Sequence, residues 1–220
     1  MDKNLKAIAN FIYESGILAR TPRSGLWFLG TGNQSVAEHT LRTIFITYAL
    51  CKLTPKAKTE HAVMMALMHD FGEGRTSDHN YVHQKYGRLA EAEAINDLAR
   101  TIPFGKEIKD LFTEAGAKET LESQLVKDAD QMEWIATLRE EEVKGNTKAK
   151  SWAVIGYKRL KTPAGKKLGK MLMQIHPDDW WFDSKDTWWV DRQLTSRSKV
   201  GSRRTPKVQA KAKPKAKSKR

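Results

Sequence analysis

Thr59-Glu60-His61-Ala62-Val63-Met64-Met65-Ala66-Leu67-Met68-His69-Asp70 decides the fold class. Its apolar residues Val63, Met64, Ala66 and Leu67 fall at the spacing of a helix face, without the strict alternation of a half-buried strand. Pro55 suits the first turn of this helix, since proline lacks the amide hydrogen that a helix start leaves unpaired. The same periodicity extends outward in both directions. Leu5, Ile8 and Ile12 recur through Ser15, and a second stretch runs from Val36 through Leu41, Ile44, Tyr48 and Cys51. Further helical patterns occupy 86–101, 104–115, 119–144, 148–161 and 164–175. Pro22, Gly25, Gly30 and Gly32 mark a loop before the second helix, and Gly72 and Gly74 another after the third. No stretch combines sustained alternation with β-branched enrichment, and no internal repeat is present. The expectation is an all-α single domain.

The 220 residues suffice to bury a substantial core. Lys and Arg total 39 against 26 Asp and Glu, a net charge of +13. That excess is local: Arg192 to Arg220 holds twelve basic residues and no acid, leaving 27 basic against 26 acidic, or +1, in residues 1–191. The chain is therefore not a basic nucleic-acid-binding domain throughout. A single cysteine, Cys51, excludes a disulfide framework and a cysteine-rich zinc site. No apolar run approaches the roughly 20 residues of a membrane span, and Met1-Asp2-Lys3-Asn4 does not begin a signal peptide. A soluble cytoplasmic protein without membrane contact is expected. Residues 177–194 carry four of the seven tryptophans, in Trp180-Trp181-Phe182 and Trp188-Trp189, which are expected to anchor this segment on the core rather than form a partner surface. Residues 1–194 are expected to form the domain. Residues 195–220, ending in runs such as Lys211-Ala212-Lys213-Pro214-Lys215, are expected to be a disordered basic tail.

The common nucleotide fingerprints are missing. Gly72-Glu73-Gly74 lacks a third glycine and follows a helix, Gly165-Lys166-Lys167 lacks the spacing of a P-loop, and no Gly-x-Ser-x-Gly elbow occurs. His and Asp residues at helix ends stand out instead. At the end of this helix, which reads Thr59 to Asp70, adjacent His69 and Asp70 can turn an imidazole nitrogen and a carboxylate oxygen toward one ion as the helix unwinds; a C-terminal His favoured by the helix dipole is the plainer account. His39 sits one turn into another helix, directly after Ser35-Val36-Ala37-Glu38, where a satisfied polar histidine would also fit. Asp130 lies within Val126-Lys127-Asp128-Ala129-Asp130-Gln131-Met132. An aspartate on a buried stripe is costly unless paired or metal-bound.

These residues, in the order His, His-Asp, Asp, resemble the pattern of HD-domain phosphohydrolases. Further blocks are similar to the branch containing bacterial 5′-deoxynucleotidases and their archaeal and eukaryotic relatives: Arg20-Thr21-Pro22-Arg23-Ser24-Gly25, Ser35-Val36-Ala37-Glu38-His39, His69-Asp70-Phe71-Gly72-Glu73 with Asp78, Lys127-Asp128-Ala129-Asp130 and Trp180-Trp181. The resemblance covers roughly residues 5–181 and implies an HD-domain helical bundle in which His39, His69, Asp70 and Asp130 bind one divalent cation. Two imidazoles and two carboxylates suit Mn, Co, Fe or Zn better than Mg. Such an ion acidifies water and offsets phosphoryl charge. Asp128, two residues before Asp130, points about 200° away on a helix, so only one of the two can face the ion.

The resemblance also implies that Glu73 is a general base or acid. It places Asp78 near the sugar and leaving oxygen, as a catalytic or substrate-binding residue, and makes Arg23 the arginine that orients the phosphate. Arg20 and Arg75 are alternatives for that role. Relatives read Arg-Thr-Gly-Trp or Arg-Trp here, whereas Arg23-Ser24-Gly25-Leu26-Trp27 displaces the tryptophan by one residue, which leaves base preference open if Trp27 binds the base. His61, His79, His83 and His176 receive no role, and His79 and His83 read as exposed loop residues. The implied activity is hydrolysis of deoxynucleoside 5′-monophosphates, with release of triphosphate from dNTPs as the alternative. A nucleic-acid-associated protein with a residual HD fold is a third possibility. A homodimer is implied, and the tail suits weak electrostatic contact with nucleic acid.

Overall fold

The computed structural model describes residues 2–186 and 189. Among them the only β pairing is an isolated antiparallel bridge between Pro22 and Ser35; the regular elements are helices. Side-chain caps set several of the starts. Asp2 caps α1 (Lys3–Ser15) by accepting from the amides of Asn4 and Leu5. A 3-10 turn (Gly16–Ala19) and the short α2 (Gly25–Leu29) follow. Ser35 and Glu38 form a reciprocal capping box that starts α3 (Val36–Lys52) and so fixes His39 one turn in. Two backbone bonds, from Arg23 N to Gln34 O and from Val36 N to Thr21 O, tie the Arg23 loop to this start.

Then come α4 (Thr59–Met68), α5 (Glu73–Thr76), α6 (Tyr81–Tyr86), α7 (Glu91–Ala99), α8 (Gly105–Ala117), α9 (Leu121–Val143), α10 (Thr147–Lys158) and α11 (Pro163–Leu172). Helix α9 runs through the centre, packed against α3, α4, α8, α10 and α11. Leu125, Val126, Ala129, Met132, Ile135 and Leu138 are buried along it, as are Glu133 and Asp128. A helix surrounded by neighbours has no solvent face to reserve for polar groups, so its acids need partners. Asp128 finds them in the chain before α11. Its carboxylate accepts from the Lys161 and Thr162 amides and the Thr162 hydroxyl, at 2.8, 2.7 and 2.6 Å. A Cβ at Gly165 would lie 2.2 Å from Asp128 Oδ2, so glycine is what lets α11 approach.

The all-α expectation holds, with shifted boundaries. Pro55 lies in a turn rather than in the first turn of α4, which starts at Thr59 and stops at Met68, with His69 as its C-cap. The glycines that mark loops flank or enter two short helices, α2 and α5. The pattern over 86–101 is not one helix: α6 ends at Tyr86, Gly87 is extended, and α7 begins at Glu91. The helical unit runs to Trp180, which is 85 % exposed and anchors nothing. In the separate unit that begins at Trp181, the rings of Trp181, Phe182 and Trp189 pack on one another with centroids 5.4–5.6 Å apart. Trp188 and the 195–220 tail lie outside the described residues.

Candidate metal centre

The unwinding of α4 at His69 turns this side chain and Asp70 toward α3. His69 Nδ1 donates to Ala66 O at 2.7 Å, because a carbonyl oxygen only accepts. That leaves Nε2 as the free nitrogen, 3.2 Å from Asp70 Oδ2. The His39 Nδ1 donates to Glu133 Oε2 at 2.6 Å. Its Nε2 lies 3.3 Å from Asp70 Oδ2 and 3.4 Å from Asp130 Oδ1. Both Nε2 atoms are buried and make no hydrogen bond. One ligand atom from each of His39, His69 and Asp70 falls within 4.8 Å of the others. Asp130 adjoins this trio, with its other oxygen held by Lys127 at 2.6 Å.

Two bare imidazole nitrogens facing carboxylate oxygen are the donor set of a borderline divalent cation, so the residues fit the ion that the resemblance implies. The electrostatics agree. Burial disfavours the Asp70 carboxylate, yet His69 and His39 hold it well below the usual range. Burial likewise works against Asp130, and Lys127 and His39 more than reverse it. Burial and Arg23 oppose a charged His39, but Asp130, Asp70 and Glu133 outweigh them and raise it well above the ordinary value. A cation would replace that proton.

The other expected residues surround this cluster. Arg23 reaches Asp70 at 3.5 Å and Asp78 at 3.3 Å, and burial is outweighed by these carboxylates, which keep it firmly charged. Asp78 is buried and accepts from Ser24 N at 2.6 Å, so it also fixes the Arg23 loop. Glu73 opens α5 with Oε2 unbonded, and burial together with Asp70 pushes it up to about 10. Arg75 points elsewhere, to Glu14 at 2.5 Å.

A model of the HD domain matches residues 15–172. The chain belongs to the HD-domain family. Its HD domain is similar in structure to a conserved hypothetical protein from Pyrococcus furiosus, with 29 % identity and a TM-score of 0.68 over 76 % of this chain and 99 % of that one. It shares its fold with a predicted metal-dependent phosphohydrolase from Magnetospirillum magnetotacticum, at 20 % identity and TM-score 0.64 over 78 % and 94 % of the two chains. An HD-domain phosphohydrolase from Listeria innocua is similar at 20 % identity and TM-score 0.59, over 83 % and 94 %. No curated protein matches the chain.

Beside the cluster the HD domain opens into a cavity of about 750 Å³ lined by Arg23, Asp70, Glu73, Asp78 and Asp130. Trp27 does not line it; that ring is 61 % exposed and meets His83 at 5.9 Å. The aromatic wall is Tyr81 and Trp134 instead. His79 is half-buried and lines the cavity, unlike the exposed His83, which sits on α6. Lys118, Arg159 and Lys161 line it too, from segments that no motif marks. Glu133 is the other residue the motif reading missed. It is held by His39, Arg42 and Gln34, which overcome burial and bring it down to about 2. A charged residue amid Met132, Trp134 and Ile135 was the available signal.

Proposed function

We propose that this HD domain is a metal-dependent phosphohydrolase that cleaves deoxynucleoside 5′-monophosphates to deoxynucleoside and phosphate. The observation that carries this reading is the pair of buried, unbonded His39 and His69 Nε2 atoms beside Asp70, a phosphate's reach from Arg23. His39, His69, Asp70 and Asp130 hold one divalent cation. Bound there, it supplies Lewis acidity, activating water and offsetting charge on the phosphoryl oxygens.

The chain's own groups do the rest. Arg23 presents its fork to the phosphate, and Asp78 holds that fork and the Ser24 amide in place. Glu73 is kept protonated by burial and Asp70, the state that gives a proton to the departing 5′ oxygen. Glu133 holds the Nδ1 hydrogen of His39, which keeps Nε2 facing Asp70.

The triphosphohydrolase alternative draws support from Lys118, Arg159 and Lys161, cations that can meet a longer phosphate chain. Purified protein incubated with Mn²⁺ or Co²⁺ and panels of dNMPs and dNTPs decides between them by its products. Orthophosphate and deoxynucleoside from dNMPs support the proposal. Triphosphate from dNTPs, with dNMPs untouched, replaces it with the alternative.

A further inference from the structure

A second pocket of about 230 Å³ shares Tyr81, Trp134 and Arg159 with the main cavity, and Trp152, Ile155 and Gly156 complete it. Apart from Arg159, its side-chain walls are aromatic or aliphatic. A pocket that takes a whole small ligand has about 300–1,000 Å³. This one is smaller and adjoins a larger cavity, so its size suits one ring of a ligand whose remainder lies beside the metal cluster.

Three contacts define it. The Trp134 and Trp152 rings lie 6.5 Å apart at 43°, presenting two faces that do not stack on each other. The Arg159 guanidinium lies over the Tyr81 ring, 4.7 Å from its centroid, and also bonds the Tyr81 hydroxyl. A Cβ at Gly25, two residues after Arg23, would touch Trp134 Cη2 at 3.5 Å. The phosphate loop and the pocket therefore share Trp134 as a wall.

We infer that the slot walled by Tyr81, Trp134 and Trp152 seats the nucleobase of the substrate while Arg23 holds its phosphate. This assignment rests on the phosphohydrolase reading and deepens it by placing the leaving group. Every base has a π-face that aromatic side chains can stack on, so the slot tolerates several bases. Arg159 offers only hydrogen-bond donors, so it meets a base through its ring nitrogens or carbonyl oxygens. The slot also accounts for base binding in a chain whose Trp27 lies outside the cavity.

The test compares a deoxynucleoside 5′-monophosphate with 2-deoxyribose 5-phosphate, which keeps the phosphate and sugar and lacks the base. Trp152→Ala should lower the preference for the nucleotide, measured as the ratio of kcat/KM values, by roughly tenfold, with the loss carried by KM. Trp152→Phe should restore most of that preference. Tyr81→Leu, at an exposed position, tests the slot from its other wall should Trp152→Ala fold poorly. Equal losses on both substrates would show a structural role and overturn the assignment.

Saturation-transfer NMR with deoxyadenosine and metal-stripped protein separates this idea from the reading beneath it. Transfer to the base protons, lost in Trp152→Ala, supports the slot even if no phosphate ester is hydrolysed. Its absence in the unaltered protein overturns the slot even if hydrolysis is fast.

Discussion

Glu73 is a carboxyl group held in its neutral form against its solution preference. Its folded value of about 10 lies far above the 4.5 of a free glutamate. Stability from the raised group is full below about pH 4.5 and is lost as pH climbs toward 10. In chelator, Glu73→Gln should therefore match the unaltered protein near pH 4 and exceed it by more than about 1 kcal/mol at pH 8. Urea titrations at the two pH values check this. Glu73→Ala should also lose about 10²–10⁴ in rate while keeping its metal, as measured by elemental analysis of the purified variant. Loss of the ion would make Glu73 a ligand. Glu133→Gln should weaken metal affinity about 10–100-fold, read by competition with a chromogenic chelator, since an amide oxygen orients His39 less strongly than a carboxylate. At this scale the sequence was partly readable. Asp130 was singled out because an acid on an apolar stripe needs a partner, and that argument applied equally to Glu133, one turn further on. The partners of Asp78 and Trp27 depend on how segments distant in sequence meet, which no local pattern encodes.

Helix ends, more than helix middles, place the chemistry. The capping box joins Ser35 to Glu38, three residues apart, and the helix start ahead of His39 was legible from the periodicity that begins at Val36. The early stop of α4 was not, because the apolar periodicity continues through Met68 with no glycine or proline to end it. The short helices α2 and α5 were read as loops for the opposite reason: their glycines outweigh a periodicity too brief to register. Asp128 and Asp130 show how one element serves two purposes. Their angular separation was predictable from helix geometry, and the structure gives Asp128 to the start of α11. Asp128→Ala should cost about 2–3 kcal/mol by orphaning the Lys161 and Thr162 amides, with bound metal retained. Gly165→Ala should destabilise in the same direction by about 1–3 kcal/mol, since its Cβ would displace that carboxylate. Denaturant midpoints and metal content measured together distinguish both from Asp130→Ala, which should lose the ion.

Across the molecule, charge and chemistry are separated along the chain. The proposed site draws on residues 23–161, upstream of the twelve basic residues that begin at Arg192. Truncation before Thr195 should leave kcat/KM on a dNMP unchanged, and binding to a polyanion by the full chain should fall steeply with salt. A large fall in turnover on truncation would assign the tail a place in the active site. The ligands proposed for the ion come from α3, the end of α4 and α9, segments far apart in sequence. An ion there is a reversible cross-link that the unfolded chain cannot reproduce, so occupancy adds to folding free energy by about 2.7 kcal/mol at a hundredfold excess over Kd. Melting temperature thus becomes a metal assay that needs no substrate. Stripped protein warmed with Mn²⁺, Co²⁺, Fe²⁺, Zn²⁺ or Mg²⁺ should rank the ions by affinity, and His69→Ala should flatten the ranking.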